Sequence, residues 1–278
     1  MAKEKKFFLG NKKLSSFSTQ GEDFYDFERL ELEEKTKKLT AQLADLQELL
    51  YAEAKHKILI VLQGMDTSGK DGTVKHVFAS TNPQGVRVTS FKQPTELEQS
   101  HDYLWRIHKE TPAKGEMVIF NRSHYEDFVV PRVHKTLPAK ECLERLQDIQ
   151  AFEKMLVREG VVLFKFFLHI SQKEQAQRLK ERLSNDNKHW KFSLSDLTER
   201  RYWKEYHHAY EEVIKATHTT QTPWDIIPAD HKFLRNYIIS KILVDRLSEL
   251  NPRYPQFDPR LIKKIKAEAE RLLPKSKN

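Results

Sequence analysis

Apolar residues along this chain gather in short, nearly unbroken runs. Between the runs they recur every three or four positions. The runs are KILIVL at 57–62, GVRVTSF at 85–91, EMVIFN at 116–121, VVLFKFFLHI at 161–170 and the centre of TPWDIIPAD at 222–230. Runs this short predict β-strands rather than helices. The fourth is apolar apart from Lys165 and His169, which predicts a central position in the sheet.

The intervening stretches predict helices. The first spans 28–55, where Leu39, Leu43, Leu46 and Leu50 fall on one face. It reads as a packing helix and a candidate subunit contact. Others follow the first run through Val77 and cover Glu96–Lys109, Lys140–Arg158 and Ser171–Arg182. A long one spans Asp196–Thr217, with Ser195 as its cap and Thr198 at the third position. His231–Leu250 is the last main helix, before a Pro-rich turn and a Lys-rich tail with helical spacing. Apolar strands alternating with helices predict an α/β protein whose five-stranded parallel sheet is covered on both faces.

The first strand runs into QGMDTSGKDGT, 63–73. A phosphate-binding loop has Gly, four residues, Gly, Lys, then Ser or Thr. Gly64, Gly69 and Lys70 fit, but Asp71 stands where the hydroxyl belongs, and Asp66 lies inside the loop. Strand, glycine loop and helix in this order let backbone N–H groups and a helix N-terminus face phosphate. Two carboxylates beside phosphate need a cation to offset them. Mg²⁺ fits, because it takes hard oxygen ligands and keeps phosphate partners. The expected fold is thus a P-loop kinase-like three-layer sandwich with a helical lid. Residues 1–55 form an N-terminal extension and packing helix. Residues 56–250 form the phosphotransferase core, with the lid at about 171–195, and 251–278 a basic tail.

A second constellation, FNRSHYEDFVVPRVH at 120–134, overlaps the end of the third strand. In such sheets the C-terminal edge of the strands carries ligands. Asn121 can orient water or metal, and Arg122 offers a planar fork to phosphate. Glu126 and Asp127 can address metal or an acceptor nucleotide, and Arg132 and His134 add anion contacts. Each also fits a capped turn or a solvated helix. In SQKEQAQRLKERL, 171–183, Arg178 and Arg182 lie four apart and can face one ligand. Taken alone, that segment equally fits a solvated charged helix. Trp190, Trp203 and Trp224 fit packing better than base stacking.

Composition narrows the partner. Of 278 residues, 48 are Lys or Arg and 40 Asp or Glu, for a formal charge of +8. That balance favours an anionic partner without choosing one. The single cysteine, Cys142, excludes an intramolecular disulfide. No secretory pattern or membrane-length apolar run is visible, so the cytoplasm is expected.

The pieces GMDTSGKDGT (64–73), FNRSHYEDFVVPRVH (120–134), KEQAQRLKERL (173–183) and PWDIIPAD (223–230) together resemble the polyphosphate kinase 2 family. The resemblance covers the chain from the leading helix to about residue 250. It implies reversible transfer of the terminal phosphoryl group between inorganic polyphosphate and a nucleotide, with Mg²⁺ or Mn²⁺ as its substitute. It implies that Asp66 is a catalytic and metal-holding carboxylate, that Lys70 grips phosphate and that Asp71 helps hold the metal. Arg122 would contact the transferred phosphate, and Arg178 and Arg182 would belong to the lid. Gly64, Thr67, Gly69, Gly72, Thr73, Asn121, Glu126 and Arg132 are the expected phosphate- and nucleotide-binding set. Many members carry Asp where Asn121 stands. NRSHYE marks the subgroup associated with making ATP from both AMP and ADP, and Glu126 is the position connected with AMP use. The implied partners are polyphosphate, AMP, ADP and ATP, without nucleic acid or membrane, in a homodimer or homotetramer. Two alternatives stand beside this: an ATP-dependent nucleoside monophosphate kinase, and a nucleotide-gated nucleic-acid-binding module. Transfer from ATP without polyphosphate use would mark the first, and preference for DNA or RNA over polyphosphate the second.

Overall fold

A computed structural model describes residues 12–22, 28–191 and 194–273. The chain runs α1 (Arg29–Glu53), β1 (Lys57–Gln63), α2 (Lys70–Val77), β2 (Val86–Ser90), α3 (Glu96–Gln99) and α4 (Trp105–His108). It continues through β3 (Met117–Asn121), α5 (Glu126–His134), α6 (Ala139–Arg158), β4 (Val161–His169) and α7 (Gln172–Leu183). The last part is α8 (Leu194–Glu199), α9 (Trp203–Thr217), β5 (Trp224–Pro228), α10 (Lys232–Glu249) and α11 (Pro259–Leu272).

The five strands form one sheet in the order β2-β3-β1-β4-β5. Every neighbouring pair is parallel. β1 is central, with Leu62 opposite Asn121 of β3 and Gln63 opposite Phe167 of β4. The strands alternate between two cores. Leu59, Val61, Val118, Phe120, Leu163 and Phe167 face the layer of α5, α6 and α9. Ile58, Ile60, Leu62, Ile119, Phe164 and Phe166 face the layer of α1, α2 and α10. Both faces are covered, which is why these strands read as apolar runs rather than alternating ones.

The apolar stripe of α1 is covered within the chain. Leu32, Leu43 and Leu50 are buried in the same core as Ile238, Ile239, Leu243 and Leu247 of α10. Leu39 and Leu46 of the same stripe are partly buried against that core, so the stripe packs on α10. Two expected helices are shorter than their patterns. The stretch 96–109 holds two single-turn helices, because Thr95 caps α3 with a reciprocal Glu98 box and the Asp102 carboxylate accepts from Leu104 N at 3.0 Å. Such local side-chain bonds compete with a continuing helix. The expected helix over 196–217 is divided between the end of α8 and α9, which starts at Trp203. Ser195 lies inside α8, and residues 200–202 form a 3₁₀ turn between α8 and α9. Among the described residues no helix is long and apolar enough to cross a membrane.

Candidate active site

The β1–α2 loop lies at the C-terminal edge of the central strand. Gly64 and Gly69 have φ of 145° and 104°, and Thr67 is left-handed at 63°. At Gly69 a side chain is excluded twice, by backbone angle and by space. An added Cβ would lie 1.9 Å from Nη1 of Arg235. The hydroxyls of Thr67 and Ser68 are buried without a hydrogen-bond partner. Orphaned donors inside a glycine loop suit an oxyanion. Lys70 is 8 % exposed and donates to the carbonyls of Gly64 at 2.7 Å and Met65 at 3.3 Å. Burial and the nearby Arg122 depress its pKa to about 8, against Asp66, Glu126 and Asp71.

The two loop carboxylates are tied to the end of β3. The Asn121 amide donates to Asp71 Oδ1 at 2.8 Å, and Arg122 Nη2 donates to Asp66 Oδ1 at 2.6 Å. Arg122 is in the left-handed region at φ 63°, with its N–H on the Leu62 carbonyl. This bend turns the chain out of β3 over the loop. A non-glycine residue held there is strained, and such strain collects at functional sites. Burial opposes the Arg122 charge, yet Glu126 and Asp66 on either side raise its pKa.

Behind the arginine stands Gln63, fully buried at the end of β1. With its amide turned to satisfy both ends, its nitrogen donates to Glu126 Oε1 at 2.9 Å and its oxygen accepts from Ser123 N at 3.0 Å. Burial raises the Glu126 pKa against Arg122 and Lys70. Beneath this turn lies a buried ionic cluster. Lys165 of β4 donates to Glu153 Oε2 at 2.8 Å and to the Thr217 carbonyl at 2.7 Å. The Tyr125 hydroxyl donates to Glu153, and His124 Nε2 lies 3.4 Å from the same carboxylate. Burial opposes the Glu153 charge, but Lys165 and His124 hold its pKa below the usual carboxylate value.

One cavity of about 1520 Å³ collects most of the expected residues. Asp66, Thr67, Gly69, Lys70, Asp71, Gly72, Asn121, Arg122, Arg178 and Arg182 line it. Gly64, Thr73, Glu126 and Arg132 are not in its wall. The Thr73 hydroxyl donates to the Gly69 carbonyl at 3.1 Å. Arg132 makes a two-pronged ion pair with Glu212 at 2.8 and 2.9 Å. Asp127 accepts from Arg106 at 3.1 Å, and His134 is 2.9 Å from Glu199.

Arg178 has a particular position. Its Nε reaches Glu174 at 2.8 Å. Its terminal nitrogens donate to the carbonyls of Thr67, Ser68, Ala229 and Asp230 at 3.0, 3.1, 2.6 and 2.9 Å. A guanidinium has five N–H donors, and all are engaged here. Arg178 thereby joins the phosphate loop to the end of β5 as a clamp on the loop backbone.

The sequence reading missed the contributions of α1 and α10. Arg29 and Lys37 of α1, and Lys232, Arg235 and Asn236 of α10, line the cavity. HKFLRN follows the PAD turn after β5, so the strand-edge rule was the signal available for them.

For a metal, Asp66 and Asp71 offer hard oxygen donors on one loop beside the orphaned hydroxyls. No group of three or more His, Cys, Asp or Glu side chains gathers for a metal among the described residues. Two carboxylates completed by phosphate and water oxygens suit Mg²⁺ rather than an all-protein cage.

The profile of the family described as Polyphosphate kinase 2 matches residues 27–255. An AMP/ADP-polyphosphate phosphotransferase of Meiothermus ruber is 54% identical over 218 residues, covering 78% of this chain and 82% of the relative. An ADP-polyphosphate phosphotransferase of Rhodopseudomonas palustris is 36% identical over 273 residues, covering 94% and 92%. The crystal structure of polyphosphate kinase 2 from Arthrobacter aurescens TC1 superposes with a TM-score of 0.88 at 38% identity, covering 92% of this chain and 93% of that one.

Proposed function

The chain belongs to the polyphosphate kinase 2 family, and we propose that it moves the terminal phosphoryl group of inorganic polyphosphate directly to AMP or ADP. The observation that carries this reading is the pair of cross-links between loop and β3, Asp66 to Arg122 and Asp71 to Asn121, at the cavity wall. A nucleotide phosphate oxygen is already anionic, so its deprotonation is not the difficulty. Bringing two anions together is, and fixed cations aimed at the reacting phosphates reduce that barrier. Arg122, Lys70 and Arg182 supply positive charge, and Asp66 orients Arg122 and the acceptor. Asp66 and Asp71 would hold Mg²⁺, which when bound neutralises phosphate charge. Lys70 leaves its two carbonyls to meet a terminal phosphate. Glu126, fixed by Gln63 beside Arg122, helps set which nucleotide is accepted, in keeping with the relative that takes both AMP and ADP. A homodimer or homotetramer in the cytoplasm completes the proposal, and light scattering of the purified chain reads the assembly.

The test is ATP formation with Mg²⁺ and polyphosphate, starting separately from AMP and from ADP. Product from both is expected. Product from ADP alone would keep the chemistry and remove the role given to Glu126. No product from either, with folded protein confirmed, would overturn the reading. Asp66→Asn should lower turnover by about a thousandfold while the circular dichroism spectrum stays unchanged.

A further inference from the structure

The loop is flanked by basic groups on both sides of β1. Arg122 follows β3 on one side, whereas Arg235 follows β5 on the other. Arg235 sits in the first turn of α10 and is only 2 % exposed. Its neighbours satisfy it incompletely. Nε and Nη2 donate to Asn236 Oδ1 at 3.2 and 2.8 Å, and Nη1 reaches the Ser68 carbonyl at 3.4 Å. One N–H on each terminal nitrogen is left without a protein acceptor among the described residues. Among the described residues no carboxylate pairs with the guanidinium. Burial and the neighbouring Arg178 instead depress its pKa to about 10. Arg178 has Glu174 as counter-ion at 2.8 Å; Arg235 has none among the described residues.

The guanidinium is also placed against the loop itself. Nη1 occupies the space a Gly69 side chain would take, and Nη2 lies 3.3 Å from where a Gly72 Cβ would stand. Both residues line the cavity with Arg235, as do Lys232 and Arg182. A buried cation with paired free donors, at a helix N-terminus and facing a cavity, is built for a tetrahedral oxyanion. The β2–β3 side of the cavity carries Phe91 and Gln93 beside Lys92 and Arg122; the α7 and α10 side gathers more cations, Arg178, Arg182, Lys232 and Arg235, together with Glu174, Glu181, Asp230 and Phe233. A donor that carries no base needs only charge.

Resting on the phosphotransfer reading above, we propose that Arg235 binds a phosphate group of the polyphosphate donor, on the side of the loop opposite Arg122. Arg235→Gln should raise the polyphosphate KM by about tenfold or more, leaving the ADP KM within about twofold. Arg235→Lys should fall between. A purely structural role would disturb both substrates alike. Tripolyphosphate without nucleotide should raise the Tm of the wild-type protein and, at the same concentration, raise that of Arg235→Gln by clearly less. This binding arm is independent of turnover. If the wild type forms no ATP, the proposed function fails, while a smaller Tm shift in the variant still supports Arg235 as a phosphate ligand. A folded Arg235→Gln with an unchanged polyphosphate KM, or with the rise in the ADP KM instead, overturns the proposal. Should the Gln variant not fold, Arg235→Lys carries the same test, and an unchanged polyphosphate KM there overturns it too.

Discussion

Lys70 stands at the junction of packing and chemistry. Folded onto two loop carbonyls, it keeps the loop closed around its own cation. Its pKa of about 8 in the free protein has a consequence whose sign is definite. The ammonium is present below that pH and is lost as pH rises through it. A bound polyanion raises the pKa again, so binding takes up a proton above about 8. The Lys70 contribution to tripolyphosphate affinity should be present below about pH 8 and be lost progressively as pH rises through it. Lys70→Arg, whose charge persists throughout, serves as the control. The ratio of the two dissociation constants across pH removes the ligand's own titration, and a constant ratio would show that another group sets the dependence. The loop aspartates belong to the same scale. Asp71 is bonded to the last residue of β3 and Asp66 to the residue after it, so they fix the angle between loop and strand as well as offering oxygens to a cation.

At the scale of elements, the turn from β3 into α5 rests on the Lys165–Glu153 pair joining β4 to α6. Lys165 is fully buried, and removing one partner of a buried pair leaves the other uncompensated. Lys165→Met should cost about 3–5 kcal/mol in urea unfolding. An orphaned Glu153 can take up a proton, so its folded-state pKa will rise in the variant. The loss of stability relative to wild type should therefore be smallest in acid and grow as pH rises through that new pKa. A loss independent of pH would point to packing instead. Lys165 was visible in the sequence as the exception in an apolar strand, but its partner was not, because Glu153 looks like any charged residue of a helix. The same contrast runs through the molecule. Strands were legible because burial on both faces leaves continuous apolar runs. Asp66, Lys70, Asp71, Asn121 and Arg122 were legible because loop and strand-end chemistry is local. Helix limits at 96–109 and 196–217 were not, since side-chain bonds such as that of Asp102 interrupt a sound periodicity. Arg178 was legible as basic but not as a clamp, and Arg235 reaches the loop only through a fold that brings it to Ser68 across 167 positions.

At the scale of the whole molecule, the excess of positive charge and the cavity act together. The net charge of +8 attracts polyanions, and α1, α7 and α10 bring basic side chains to one cavity wall. Attraction of this kind is screened by salt, with a Debye length of about 10 Å at 0.1 M and about 3 Å at 1 M. The polyphosphate KM should rise steeply with potassium chloride, and more steeply for long chains than for tripolyphosphate, while the AMP KM changes little. Equal salt slopes for donor and acceptor would mean that long-range charge does not select the donor.

The contact between Gly69 and Arg235 carries a consequence for descent. A hydrogen on one residue makes room for the guanidinium of the other. A lineage that gains a side chain at the first must have lost or moved the arginine at the second. The arginine's end can swing aside, so its loss alone does not open the first position: the backbone there, at φ 104°, strains any residue with a side chain, and glycine should persist whether or not the arginine does.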